Sequence, residues 1–318
     1  MTIHSSGKDF SAVHGRLTDW TPQASRDWGR APIRLQHRLA ETGLFTDEAL
    51  AEIIDRYPVE SYSLISMGAF GSERRWRIGR VDGLSGREII DAIRENQLWL
   101  NLRSIDQVDP RFASLFATFL KELGEDVGGL DAFPGKMGVL ISGPRTKVDY
   151  HADLPGQSLW QIRGEKTVYV YPPEAPYISD EQLQDITYDG VEKLDYEKAF
   201  DEGAAVLPLK PGEMLHWQLN APHRVENGDM MNVSVTTEYL TTPIKRLNHM
   251  NLANAILRHR FGITSRTRPT SGPVYFGKAL LQAGFAKAGL LERRVARSHA
   301  QSFVLGRNAR GGFAMTDI

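Results

Sequence analysis

His151 and Asp153 lie two residues apart in the stretch VDYHADLPGQSLWQIRGEK, residues 148–166, and are the first side chains in this chain with the makings of a reactive centre. If the stretch is extended, positions i and i+2 point to one side of a strand, so an imidazole and a carboxylate can reach the same cation. A third ligand must come from another strand. The segment LKPGEMLHWQLNAPHRVENG offers His216 in a short apolar run and His223 after an Asn-Ala-Pro turn. Two neutral imidazoles and one carboxylate on one face of a six-coordinate ion are the ligand set of non-haem Fe(II) centres. Three positions then stay open for a co-substrate and dioxygen. Cysteine is absent from the chain, which excludes disulfides, thiolate zinc sites, iron–sulfur clusters and a cysteine nucleophile. An H-x-D pair alone is a weak signal, since a lone strand histidine is more often a hydrogen-bonded surface or core residue, so the surrounding elements decide.

Those elements belong to an ordinary globular chain. Its 318 residues suffice for one large domain with appended elements or for two, and 41% hydrophobic with 24% charged residues is a balance that can bury a core. A formal net charge of -1 gives no global attraction to nucleic acid or to a membrane surface. The N-terminus lacks the apolar stretch of a signal peptide and no long apolar run follows, so a soluble, cytoplasmic protein is expected. Residues 1–30 read as an arm. Residues 31–135 read as an α/β region: a helix behind Thr46 with Leu50, Ile53 and Ile54 in phase, strands in SYSLISM, RRWRIGRV and QLWLNLR, and a helix in SGREIIDAIRE. A further helix opens on Asp109-Pro110, carries Phe112, Leu115, Phe116, Phe119, Leu120 and Leu123 on one face, and ends near Gly124. From 136 to 242 the hydrophobic period drops toward two, with Gly, Pro and Asn between short runs, which indicates an antiparallel barrel or jelly roll. An insert at 174–203 holds ten acidic residues against two lysines, as a solvated segment or as a lid for a basic substrate. Residues 243–318 read as helical, ending in a basic stretch, 287–310, taken as a helix end and solvated tail or as a contact for an acidic partner.

The series H-A-D, Q-I-R-G-E-K, V-Y-P-P, L-K-P-G-E-M-L and A-P-H-R-V resembles the JmjC and cupin-type 2-oxoglutarate oxygenases, among them the asparaginyl hydroxylase that inhibits hypoxia-inducible factor. The likeness spans roughly residues 136–240 and implies a double-stranded β-helix core with helical regions on either side. It favours His223 over His216 as the third ligand, because the family's histidine follows a turn and precedes an apolar strand. It places Lys166, fifteen residues after His151, against the distal carboxylate of 2-oxoglutarate. It also points to Gln157 and Thr236 as polar groups near the co-substrate. The family's threonine three residues before the first ligand is Val148 here, so that hydrogen bond is expected from Tyr150 or Thr146.

The implied activity is that of an Fe(II)- and 2-oxoglutarate-dependent dioxygenase. It would hydroxylate a C–H bond of an amino acid, a peptide or protein side chain, or a small metabolite, with release of succinate and CO₂. Two alternatives stand beside it: a non-catalytic metal- or ligand-binding cupin, and an N-demethylase of the same oxygenase class. The expected partners are 2-oxoglutarate, O₂ and the substrate, with a homodimer through the C-terminal helices, of which one carries Leu252, Ala255 and Ile256 on one face.

Overall fold

A computed structural model of the chain describes residues 17–66, 76–128, 130–190, 192, 194–291, 301–308 and 312–318. The N-terminal region comprises α1 (Pro22–Asp27), β1 (Ile33–Gln36), α2 (Asp47–Asp55), β2 (Tyr62–Ser66), β3 (Arg77–Val81), α3 (Gly86–Glu95), β4 (Leu98–Leu102), α4 (Ile105–Val108) and α5 (Pro110–Val127). Local chemistry accounts for the helix starts. The Thr46 hydroxyl accepts from the Ala49 N–H, Ser85 and Glu88 form a capping box, and Asp109 accepts from the Arg111 N–H. α5 runs beyond the expected stop at Gly124, because one glycine in a helix interior costs only about 1 kcal/mol. It ends at Gly128, whose φ of 66° lies in the left-handed region that glycine tolerates.

The core is built from β5 (Ala132–Ser142), β6 (Lys147–His151), β7 (Gly156–Arg163), β8 (Lys166–Val170), β9 (Ala205–Leu209), β10 (Glu213–His216), β11 (His223–Asn227) and β12 (Asn232–Thr241). Apart from β8 and β9, which are neighbours in one sheet, successive strands alternate between two sheets. The order β10-β7-β12-β5 makes one wall and β6-β11-β8-β9 the other, all antiparallel, which is a jelly roll. β1 extends the first wall beyond β10, and β4, β2 and β3 extend it beyond β5. Leu159, Val168, Val170, Leu209, Leu215, Trp217 and Val225 fill the space between the walls. On the outer face of the larger sheet the α5 stripe joins Trp160, Ile162, Val233 and Val235 in the main hydrophobic core.

The acidic insert is a packed element. It folds as α6 (Asp180–Asp189) and a short 3₁₀ turn, and Ile178, Leu183, Ile186 and Leu194 close over Tyr150 and Tyr171 on the outside of the smaller sheet. α7 (Thr242–Phe261) packs against α6 and is followed by α8 (Gly272–Lys287). Three insert acids pair with this C-terminal region: Asp180 with Arg268, Glu181 with Arg266, and Asp185 with Arg258 and His259. The chain end departs from the expected solvated tail. Residues 292–300 and 309–311 lie outside the described residues, but β13 (Gln301–Arg307) runs parallel to β3 and pairs with β14 (Phe313–Asp317). Phe303 and Leu305 are buried there, and the alternation of QSFVLGR is the signal for that strand.

Candidate metal centre

His151 ends β6 and His223 begins β11, and the register sets them directly opposite one another. Their rings lie 4.1 Å apart between centroids. The pairing then passes from His223–His151 to Val225–Val148, which places one extra residue on β6. This bulge separates the directions of neighbouring side chains. His151 turns toward His223, while Tyr150 faces the outer cluster, donating its hydroxyl to the Tyr177 carbonyl at 2.8 Å and packing on Tyr171 and Phe200. The expectation that Tyr150 binds co-substrate is corrected on that ground: its ring and its hydroxyl are both engaged outside the barrel.

Asp153 follows where the chain crosses from β6 to β7. Asn220 Nδ2 donates to its main-chain carbonyl at 2.8 Å, and the Ala152 N–H donates to the Glu192 carbonyl at 3.2 Å, so the crossing is held on both sides. One ligand atom from each of His151, Asp153 and His223 lies within 4.8 Å of the others. His223 Nε2 is 3.3 Å from Asp153 Oδ2. The far nitrogens are committed: His151 Nδ1 donates to the Asp149 carbonyl at 2.7 Å and His223 Nδ1 to the Ala221 carbonyl at 3.0 Å. That fixes each Nε2 as the bare lone pair facing the cluster, as in metal-binding histidines oriented from behind. Asp153 Oδ2 is buried with no hydrogen-bond donor. Burial, reinforced by neighbouring His151 and opposed by Asp153, pushes the His223 imidazole down to about 4, so it is neutral near pH 7. Two oriented imidazole nitrogens and one orphaned carboxylate oxygen are a fitting donor set for a divalent transition metal.

His216 is elsewhere. It lies on the opposite face of β10 from Leu215, fully buried, and stacks on Trp28 at 3.7 Å between centroids. Its Nε2 accepts from the Gly29 N–H and its Nδ1 donates to the Gln157 carbonyl, a buttress between the N-terminal segment and the sheet.

Lys166 begins β8 and alternates with Val168 and Val170, so it shares their inward face. Val170 pairs with His223. Four residues of strand, about 13 Å, therefore separate the histidine level from the lysine level. Lys166 is 6% exposed, and among the described residues no acid pairs with it. Burial pushes its ammonium down to about 7. Gln157 and Thr236 lie on the inward face of the other wall. Thr236 pairs with Leu159, and Gln157, one step nearer the histidine end, pairs with Glu238. Gln157 Oε1 is buried without a partner.

Glu238, Lys136 and Glu192 were not expected at this mouth. Glu238 lies 3.3 Å from Lys136, and burial pushes its carboxyl up to about 7, with Lys136 acting against the rise and Asp153 with it. Glu192 is raised in the same way, by surrounding protein and then by Asp153. Glu238 was open to detection, because two residues beyond Thr236 on one strand is the same face. Glu192 belongs to an insert with no strand period.

No protein-family model matches the sequence, and no curated protein matches it. The similarity is to solved structures. The ribosomal oxygenase YcfD from Escherichia coli, in complex with cobalt and 2-oxoglutarate, is 15% identical over 89% of this chain and 69% of that one, with a TM-score of 0.50. A further structure of Escherichia coli YcfD is 16% identical over 86% and 68%, with a TM-score of 0.51. The chain shares the fold of this oxygenase. At such identity the likeness is one of architecture, and it is to a ribosomal oxygenase; it does not support the expected resemblance to the asparaginyl hydroxylase in particular.

Proposed function

We propose that the chain is an Fe(II)- and 2-oxoglutarate-dependent oxygenase that hydroxylates a C–H bond. One observation carries the reading: two oriented imidazoles and an orphaned carboxylate converge at one end of the jelly roll, and a buried lysine, with which no acid among the described residues pairs, faces the same interior further down. His151, Asp153 and His223 would hold the metal. Iron at such a site supplies oxygen activation coupled to oxidative decarboxylation of the 2-oxo acid to succinate and CO₂. Lys166 receives the distal carboxylate, a charge-assisted contact that offsets the burial of its ammonium. The valine and leucine walls exclude water, and Gln157 and Thr236 line the interior beside the co-substrate. Demethylation of an N-methyl group would use the same residues and would be recognised by formaldehyde release.

The name of the structural relative, a ribosomal oxygenase, directs the substrate search first to ribosomal components, then to other peptides, free amino acids and small metabolites. Among the described residues no helix is long and apolar enough to cross a membrane. A homodimer through the C-terminal helices is also proposed, because α8 buries none of its residues within the chain.

Anaerobic titration of the apo-protein with Fe(II) and 2-oxoglutarate tests the activity class. The expected result is a weak visible charge-transfer band that is lost in Asp153→Ala and weakened in Lys166→Ala. Iron binding without a band in the wild type would favour the metal-binding cupin and end the oxygenase reading.

A further inference from the structure

We infer that the cleft between α1, the α5–β5 connection and the start of α7 docks a polypeptide substrate, holding an apolar side chain next to an acidic one while the residue to be hydroxylated enters the mouth at the metal centre. The chemistry rests on the proposed oxygenase reading; the docking rests on the cleft itself. Its volume is about 480 Å³, within the range of ligand sites. Trp28, Leu130, Leu219, Tyr239 and Ile244 give it apolar walls, while Arg26 and Arg30 are the charged residues of its lining and no acid joins them. The floor is held before anything binds. Trp28 stacks on the buried His216 ring at 3.7 Å, its Nε1 donates to the Tyr239 hydroxyl at 2.8 Å, and the Ser25 hydroxyl ties α1 to the Asp126 carbonyl at 2.7 Å. A surface fixed in this way loses little conformational freedom when it is covered. Arg26 donates to Gln23 Oε1 at 2.6 Å, and among the described residues neither arginine pairs with an acid. Two cations over an apolar floor complement a carboxylate carried beside an apolar group.

The position of the cleft says what that group belongs to. Two pairs of consecutive residues straddle the rim between cleft and mouth. Leu219 lines the cleft, and Asn220 donates to the Asp153 carbonyl. Tyr239 lines the cleft, and Glu238 lies at the mouth, on the opposite face of β12. One layer of chain therefore separates the two spaces, about 10 Å with its side chains. An extended peptide crosses that distance in about three residues. A metabolite small enough to sit wholly in the mouth would leave the cleft unused, and a free amino acid has no second anchor to place there. Among the substrate classes open to the oxygenase, the polypeptide is the one that uses both spaces.

The test is an array of immobilised octapeptides in which a Leu-Glu pair is fixed and the remaining positions are mixtures, beside matching arrays with Leu-Lys and with Gly-Glu, each probed with the labelled full chain. The wild type is expected to be retained by Leu-Glu peptides about tenfold more than by either control, the scale of two partly exposed ion pairs or one apolar anchor. Arg26→Glu with Arg30→Glu should reverse the preference to Leu-Lys, a gain that a misfolded protein could not show. With Fe(II), 2-oxoglutarate and O₂, retained peptides should gain one oxygen about three residues from the pair, as read by tandem mass spectrometry. Equal retention by all three arrays, or a double variant that keeps the wild-type preference, would overturn the docking site. A double variant altered in sedimentation and not in peptide preference would assign the cleft to a second copy of the chain, and would overturn it too. The expected preference in a wild type that shows no charge-transfer band with Fe(II) and 2-oxoglutarate would instead overturn the oxygenase reading, and with it the peptide's role as substrate, while the docking site stood.

Discussion

The buried lysine proposed to anchor the co-substrate also sets the pH dependence of binding. Lys166 must be charged to hold a carboxylate, yet burial brings its ammonium from the ordinary 10.5 down to about 7. The free protein therefore loses that proton as pH rises through 7. Affinity for 2-oxoglutarate should be flat below that point and fall by up to tenfold per pH unit above it. The effect on stability has the opposite slope. Between about 7 and 10.5 the unfolded chain binds the proton that the folded chain has released, so the ligand-free protein gains stability with rising pH across that window. Lys166→Arg keeps its charge throughout and should remove the slope in affinity. Titrations from pH 6 to 9 decide the matter, and a wild-type affinity constant over that range would sink the proposal. The convergence of His151, Asp153 and His223 was legible, because an i, i+2 pair and a histidine after a turn obey strand geometry. Tyr150 was not, since the β6 bulge breaks that alternation and no residue type announces it.

Among the elements, the turn from β10 to β11 does the most for the site. Asn220 sits at φ 60° and from there donates to the Asp153 main-chain carbonyl, holding the backbone that carries this candidate ligand. Asparagine is one of the few residues with a side chain that adopt the left-handed region readily. Asn220→Gly should keep the turn and lose only the clamp, while Asn220→Ala should lose both. Fe(II) affinity is expected to fall roughly 10- to 100-fold in Asn220→Ala, the range for residues that orient metal ligands, and less in Asn220→Gly. Competition against a metal-binding indicator measures both, and equal affinities for wild type and Asn220→Ala would refute the role. The turn itself was readable from Asn220-Ala221-Pro222, as were the helix caps at Thr46, Ser85 and Asp109, because local hydrogen bonding specifies them. β13 was missed for the opposite reason. Its partner β3 is more than two hundred residues distant in the chain, and its only local mark is a brief alternation around Phe303 and Leu305.

At the scale of the whole molecule, the near-neutral net charge conceals a division of labour. The insert acids Asp180, Glu181 and Asp185 are matched by Arg268, Arg266 and Arg258, which ties the C-terminal helices to the barrel and commits part of the insert's negative charge to packing. That anchoring presents α8 with its apolar residues outward. Val274, Phe276 and Leu280 are 55%, 63% and 74% exposed, and Phe276 and Leu280 are four apart on one helical face. Large apolar side chains exposed four apart on one helical face suit a self-complementary contact about a two-fold axis. Sedimentation equilibrium should therefore find a dimer for the wild type. Phe276→Glu with Leu280→Glu should yield a monomer, because each partner would otherwise bury unpaired carboxylates at the contact. The iron and 2-oxoglutarate titration should be unchanged in that variant, since neither residue approaches the jelly-roll interior. A wild type that sediments as a monomer at micromolar concentration would overturn the dimer while leaving the metal centre untouched.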